Sequence, residues 1–295
     1  MSWYDAKPKQ LWRRFRPQRA GNIEIVPGSL APLYRQAADH VHQLYPGRRL
    51  KERLISPIIQ SVRDRARAKN DPMLWIAALI LQSPRAVAAQ QQMDKHPHGY
   101  HNKQARLYEL IDFNDTYVSA VLSMPEADLP SFVDEVKRAM DVFCKQLGVR
   151  AFSDEQYEAI VHGLSREIAV FRGAIKEGFS ATMTSRAEDT KGVDMIIADP
   201  LTGKSINIDC KTHSSYYYRL KQLVREGRMT TEQAGAADLA GYCVVVNGHD
   251  NERVRVVLWR IDEETYGTVT NFSFENTAAL GRSLHEIIAS VAISD

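Results

Sequence analysis

The sequence predicts an α/β protein in two parts: an all-helical region, then a mixed β-sheet with helices on its faces. Three observations carry this. Apolar residues recur at three- and four-residue spacing from Ser29 to about Gly148, the period of helices that bury one face. Beyond about residue 152, short apolar runs alternate with helical stretches, and two of those runs flank a turn-forming segment, Asp199-Pro-Leu-Thr-Gly-Lys204. Charge also changes sign between the parts. Residues 1–150 hold 23 Lys/Arg against 15 Asp/Glu, whereas residues 151–295 hold 15 against 21.

A chain of 295 residues, 44% hydrophobic and 25% charged, has the composition of a soluble globular protein of one large or two ordinary domains. Cys144, Cys210 and Cys243 are widely spaced and form no CxxC pattern, which suits a reducing compartment and a cytoplasmic location. The first sixteen residues carry charges but no apolar segment, so no signal peptide is expected. The longest apolar run, 73–81, is too short to span a bilayer and reads as a buried helix. No membrane association is expected.

Taken in order, residues 1–28 read as a basic arm broken by Pro8, Pro17 and Pro27. Residues 29–150 read as a helical domain, for nucleic-acid binding or dimerisation, with helices near 30–45, 50–69, 72–82, 84–94, 103–122 and 129–147. Residues 151–295 form the third unit. There, 154–176 is one long helix, capped by Ser153 and ended by Gly178. Strands follow at 179–185, 193–198 and 205–212, the last two as a hairpin. Helices are expected at 214–226 and 230–240. The run Tyr-Cys-Val-Val-Val-Asn at 242–247 is apolar throughout and reads as a central strand covered on both faces. A strand at 253–261 and a helix at 277–291 complete the chain.

Strand alternation puts Val193, Met195 and Ile197 on one face and Asp194, Ile196 and Ala198 on the other. In the next strand Ile206, Ile208 and Cys210 oppose Asn207, Asp209 and Lys211. A symmetric hairpin pairs 198 with 205 and sets Asp194 opposite Asp209. Like charges so placed destabilise a sheet, and a divalent cation would compensate. On the long helix, Ile160, Leu164, Glu167, Phe171 and Ala174/Ile175 share a stripe. Glu167 then sits within an apolar face, where an ionised carboxylate needs a partner or a metal. Glu155, Glu158 and Glu177 lie off that stripe, with Glu158 the reserve candidate.

A helix bearing a glutamate, a strand, and a hairpin bearing Asp194 and Asp209-Cys210-Lys211 together resemble the PD-(D/E)XK nuclease superfamily, over about residues 154–260. Glycines and aromatics spaced about Glu167 (Gly163, Phe171, Gly178, Phe179) add to the likeness, although no proline precedes Asp194. The resemblance implies a restriction-endonuclease-like fold: a three-layer α/β/α core with a mixed sheet, here preceded by an all-α domain. It implies Glu167, Asp194, Asp209 and Lys211 as catalytic residues. Asp194, Asp209 and Glu167, the last directly or through water, would hold Mg²⁺ or Mn²⁺. Lys211 would orient or help deprotonate the attacking water, or offset charge as the phosphorane forms.

The activity so implied is Mg²⁺-dependent DNA endonuclease, a phosphodiester hydrolase of the restriction or genome-defence kind. RNA-cleaving or junction-resolving nucleases, a partner-dependent nuclease subunit and a catalytically silent nucleic-acid-binding module remain alternatives. Nucleic acid is the expected partner, DNA ahead of RNA, with a homodimer or a partner protein compatible with two cuts on a duplex. Arg63, Arg65, Arg67 and Lys69 could line a phosphate-binding face, together with Arg48, Arg49, Lys51 and Arg53. His213, Arg219 and Lys221 could touch phosphate near the site. Of Tyr216, Tyr217 and Tyr218, at least one is expected in the core. His96, His98 and His101 lack zinc-site spacing, and there is no P-loop.

Overall fold

The computed structural model describes residues 30–45, 52–94, 104–184, 191–249 and 252–292. The basic arm, Arg48, Arg49, Lys51, the Arg53 side chain and the His96–His101 segment lie outside the described residues. Five helices come first: α1 (Pro32–Leu44), α2 (Glu52–Lys69), α3 (Pro72–Asp94), α4 (Gln104–Ser123) and α5 (Leu129–Gln146).

The two helices expected at 72–82 and 84–94 are one, because α3 runs through Pro84. Proline cannot donate to the Ile80 carbonyl four residues back. The Ser83 hydroxyl donates to that carbonyl instead, at 2.8 Å, so the turn is repaired locally. α3 has the length and apolarity to cross a bilayer, but 72% of its most apolar window is buried inside the structure. Leu74, Ile76, Leu79 and Ile80 pack with Tyr34, Phe113, Tyr117 and Phe132 in the helical core.

α6 (Asp154–Lys176) joins the parts. It opens on a capping box, in which Ser153 accepts from the Gln156 N–H and the Gln156 side chain returns to the Ser153 N–H. Its Tyr157, Leu164 and Ile168 belong to the helical core. Ala169, Val170 and Ala174 belong to the core under the sheet. The expected single stripe is therefore corrected: α6 is buried on two sides, and Ile175 is half exposed.

The sheet contains β1 (Ser180–Met183), β2 (Met195–Ala198), β3 (Ser205–Lys211), β4 (Tyr242–His249) and β5 (Glu252–Arg260), in the order β1-β2-β3-β5-β4. Only β3 and β5 run parallel. One face packs Ile206, Ile208, Val257 and Trp259 against α6 and the last helix, α10 (Thr277–Ala292). The other packs Val245, Val256 and Leu258 against α7 (His213–Arg225) and α8 (Thr231–Ala240). A short α9 (Glu263–Tyr266) and a small hairpin, β6 (Val269–Thr270) and β7 (Ser273–Phe274), had no clear signal in the sequence.

The apolar 242–247 run is not a central strand. β4 is an edge, and Val244 and Val246 are 36% and 48% exposed. A continuous apolar run cannot distinguish two covered faces from one covered face at a sheet margin.

Gly173 of α6 marks a close helix–helix approach. A Cβ built there would overlap Leu280 Cδ2 of α10. Leu280 is fully buried in the core beneath the sheet, so making room for the added methyl means repacking that core, and Gly173→Ala is expected to cost about 1–3 kcal/mol, measurable by urea denaturation.

The turn between β2 and β3 is tied by Asp199. Its carboxylate accepts from the Leu201 N–H and the Thr202 hydroxyl, each at 2.9 Å. The Leu201 bond leads in holding the Asp199 pKa below its ordinary value. A depressed carboxylate pKa stabilises the fold above the unfolded value, and that contribution is lost as pH falls through the folded one. Asp199→Asn should therefore melt lower than the parent at neutral pH. The gap should close below about pH 4, as thermal melts across that range would register.

Candidate active site

The hairpin register has the expected symmetry: Ala198 pairs with Ser205 and Met195 with Ile208. The ladder stops there. Asp194 lies one residue beyond it, and its N–H donates to the Ile208 carbonyl at 2.8 Å, one residue off register. Val193 consequently joins the α7 face of the sheet rather than the face of Met195 and Ile197, which corrects the alternation expected at that end. Asp194 does not simply face Asp209 across the hairpin. Its Oδ2 accepts the Cys210 N–H at 2.7 Å, which fixes the carboxylate against the β3 backbone between Asp209 and Lys211.

Asp209 is 6% exposed, and the Lys211 ammonium pairs with its Oδ1. The same ammonium lies 3.3 Å from the Cys210 carbonyl oxygen. Loss of water opposes the charge on Lys211. The carboxylates of Asp209, Asp194 and Glu167 outweigh that loss and hold its pKa above the usual lysine value. Burial first, and then the same three acids, push the Cys210 thiol well above its ordinary range. Two neighbouring groups thus feel the same three acids, drawn from α6, the residue before β2 and the end of β3.

Gly192 lets the chain pass closely over this site. Its φ is +75°, and a Cβ there would stand 2.9 Å from Asn247 Nδ2 and 3.8 Å from Asp209 Oδ2. Asn247 Nδ2 in turn donates to the Lys191 carbonyl at 2.9 Å, holding the approach to Asp194 in place.

Beside the triad is a cleft of about 170 Å³. It is lined by Arg166 and Glu167 of α6, Cys210 and Lys211 of β3, and Thr212 and Ser215 at the start of α7. Thr212 caps α7, its hydroxyl accepting from the Ser215 N–H. Arg166, Thr212 and Ser215 were not among the residues singled out from the sequence. A buried arginine beside a glutamate has no periodic signature, and the helix start points at the cleft only once β3 and α6 are packed together.

A larger cleft of about 390 Å³ lies between α7 and α8, away from the acids. Tyr217 and Lys221 line it, with the Lys221 ammonium 4.2 Å from the Tyr217 ring centre. Tyr216 is the core tyrosine, its hydroxyl donating to the Ala237 carbonyl at 2.9 Å. Tyr217 and Tyr218 are exposed. Arg219 reaches Asn247 Oδ1 at 3.5 Å. His213 is mostly exposed, with Nδ1 3.5 Å from Asp262 Oδ1.

On α2, Arg65, Arg67 and Lys69 are exposed, and Arg67 pairs with Asp64 at 3.6 Å. Arg63 departs from the expected basic face. It turns inward to Asp112 of α4 at 3.5 Å, with its side chain 12% exposed.

Among the described residues no group of three or more His, Cys, Asp or Glu side chains is placed to hold a metal ion. Mg²⁺ does not need one, since it keeps several waters and uses one or two carboxylates. The oxygen donors fit such an ion. Asp209 Oδ1 and the Cys210 carbonyl already converge on one positive charge, the Lys211 ammonium, which stands in for a cation. Fold and site together define a mixed α/β protein whose five-stranded sheet carries Asp209 and Lys211 at the end of one strand, with Asp194 and Glu167 brought beside them from the turn before β2 and from α6. Neither protein-family models, nor curated proteins, nor solved structures yield a match to the chain.

Proposed function

We propose that the chain is a Mg²⁺- or Mn²⁺-dependent endonuclease with a restriction-endonuclease-like fold, hydrolysing phosphodiester bonds of DNA and working in the cytoplasm. The observation that carries this reading is the convergence of Glu167, Asp194 and Asp209 on Lys211 at the end of β3. Asp194 and Asp209 would hold the ion, with Glu167 directly or through water. When bound, the cation supplies Lewis acidity to the scissile phosphate and lowers the pKa of a coordinated water. Asp194 is kept in place by the Cys210 N–H. Lys211 places a positive charge where negative charge develops on the phosphorus oxygens. The basic helical region would supply the grip on the polyanion, through the exposed Arg65, Arg67 and Lys69.

The test is incubation of purified protein with supercoiled plasmid, single-stranded DNA and RNA in Mg²⁺, Mn²⁺ or EDTA, beside Lys211→Ala. Plasmid cleavage that needs the cation and Lys211 is the expected result. Cleavage that persists in EDTA, or in Lys211→Ala at the parent rate, would remove the assignment. RNA cut in preference to DNA would keep the site and change the substrate.

A further inference from the structure

We propose that the cleft of about 390 Å³ between α7 and α8 is a second nucleic-acid site, remote from the acids, which receives one unpaired nucleotide of a single strand. The base lies on Tyr217 and the apolar floor, and the phosphate meets Lys221 and Arg225. That the nucleotide belongs to a strand rests on the nuclease reading; the match of the cleft to a ring and an anion does not.

Leu220 and Val224 of α7 and Ala234 of α8 give the cleft its apolar floor. Tyr217, Lys221 and Arg225 line it at four-residue spacing, on one side of α7. Tyr217 is 47% exposed, so its ring is open to a partner. Tyr218, 64% exposed and three residues before Lys221, offers a second ring to a neighbouring base. Neither Lys221 nor Arg225 has an ion pair or hydrogen bond among the described residues; Lys221 only lies over the Tyr217 ring. The one acid in the lining, Asp238, is already matched by Arg260, whose Nη1 lies 3.0 Å from its Oδ1. Glu226, beside Arg225 in the chain, is paired with Arg228 at 3.2 Å. Two uncommitted positive charges therefore border an aromatic face.

Gly235 separates a ligand site from a mere dent in the surface. It lies inside α8, where glycine is less stable than alanine. Its φ is not positive, and a Cβ built on it meets nothing within 4 Å. Neither backbone conformation nor packing calls for glycine here. What the missing side chain does is leave one wall of the cleft as bare backbone, which a flat ring can approach closely.

A polyanion bearing flat rings matches this set, with charge on the cations and ring against ring. The base must be unpaired, because in a duplex its faces are already stacked on its neighbours. At 3.6 residues per turn, Tyr217, Lys221 and Val224 lie on the side of α7 away from Ser215, which borders the acid cleft. A nucleotide held here is therefore not the one placed for cleavage.

The test is fluorescence anisotropy in EDTA, which reads binding without cleavage. Labelled oligodeoxyadenylate, alone or annealed to oligothymidylate, is titrated with each protein at several KCl concentrations. Wild type should bind the single strand more tightly than the duplex. Tyr217→Ala should weaken single-strand binding about 5–100-fold, the scale of losing one stacked base. Tyr217→Phe keeps the ring and should bind as the parent does. Gly235→Leu should weaken binding as much by filling the cleft. It should melt no lower than the parent, since leucine favours a helix over glycine, so its loss of binding is not unfolding. Lys221→Gln and Arg225→Gln should each lower the salt slope by about 0.7.

Parent affinity in both Tyr217→Ala and Gly235→Leu overturns the site even if the protein cleaves DNA, and gives the cleft to a protein segment instead. Equal weakening of single strand and duplex overturns the unpaired base. If AMP displaces the labelled strand as well as unlabelled strand does at equal nucleotide concentration, the strand assignment falls. Binding that depends on Tyr217 and Gly235 in a protein that cuts nothing leaves this site standing and removes the nuclease reading.

Discussion

Asp209→Asn is expected to lower metal-dependent DNA cleavage by about 10²–10³-fold, the scale of removing one preorganised group that stabilises developing charge. Asparagine preserves the shape of the side chain and still offers an oxygen to Lys211. It removes one charged donor from the proposed cation, which then binds less tightly and polarises less. The fold should survive. Asp209 is 6% exposed and shares its surroundings with Asp194 and Glu167, so losing its charge relieves repulsion while it weakens the pair with Lys211. The two effects oppose each other, and the melting temperature should move by only a few degrees. Cleavage at the parent rate in a folded Asp209→Asn protein would remove Asp209 from the reaction.

The largest effect on stability is expected from Trp259→Ala, at about 3–5 kcal/mol. Trp259 is 2% exposed, in β5 between β3 and β4. Its ring meets Tyr266 edge-on, with centroids 5.8 Å apart, and it packs with the Ile206, Ile208 and Leu280 group beneath the sheet. It also pairs in register with Cys210, so the cavity would open beside the strand that carries Asp209 and Lys211. A fall in melting temperature on the order of 10 °C should follow, together with lost activity at temperatures the parent tolerates. Leu201→Ala is the contrast. That side chain is 90% exposed, and its truncation should stay within about 0.5 kcal/mol of neutral. Equal melts for the two variants would mean that the sheet does not depend on its central tryptophan.

Local chemistry made much of this structure readable in advance. The Ser153 cap, the symmetric hairpin around Asp199–Lys204 and the long helix before β1 all depend on residues within a few positions of one another. The same holds for the pairing of Asp209 with Lys211, two residues apart on one strand. Where expectation failed, the missing information was mostly a distant neighbour. Pro84 looked like a helix boundary, but burial of α3 on several sides and the Ser83 hydroxyl carry the helix through it. The 242–247 run looked central because apolarity does not record which strand lies beside it. Arg63 looked like part of a basic face until α4 brought Asp112 against it.

By its sequence alone, then, this protein specified its helices, its hairpin and the residue types of an acid–lysine site, because periodicity, capping and turn chemistry act over a few residues. Only tertiary packing decided that Glu167, forty-odd positions before Lys211, shares a cleft with it, that Asp194 binds the Cys210 N–H rather than facing Asp209, and that Arg166 and the start of α7 close the same space. Those contacts join segments whose meeting depends on how α6 and α10 bury themselves against the sheet, a choice made by the whole core rather than by any local stretch of chain.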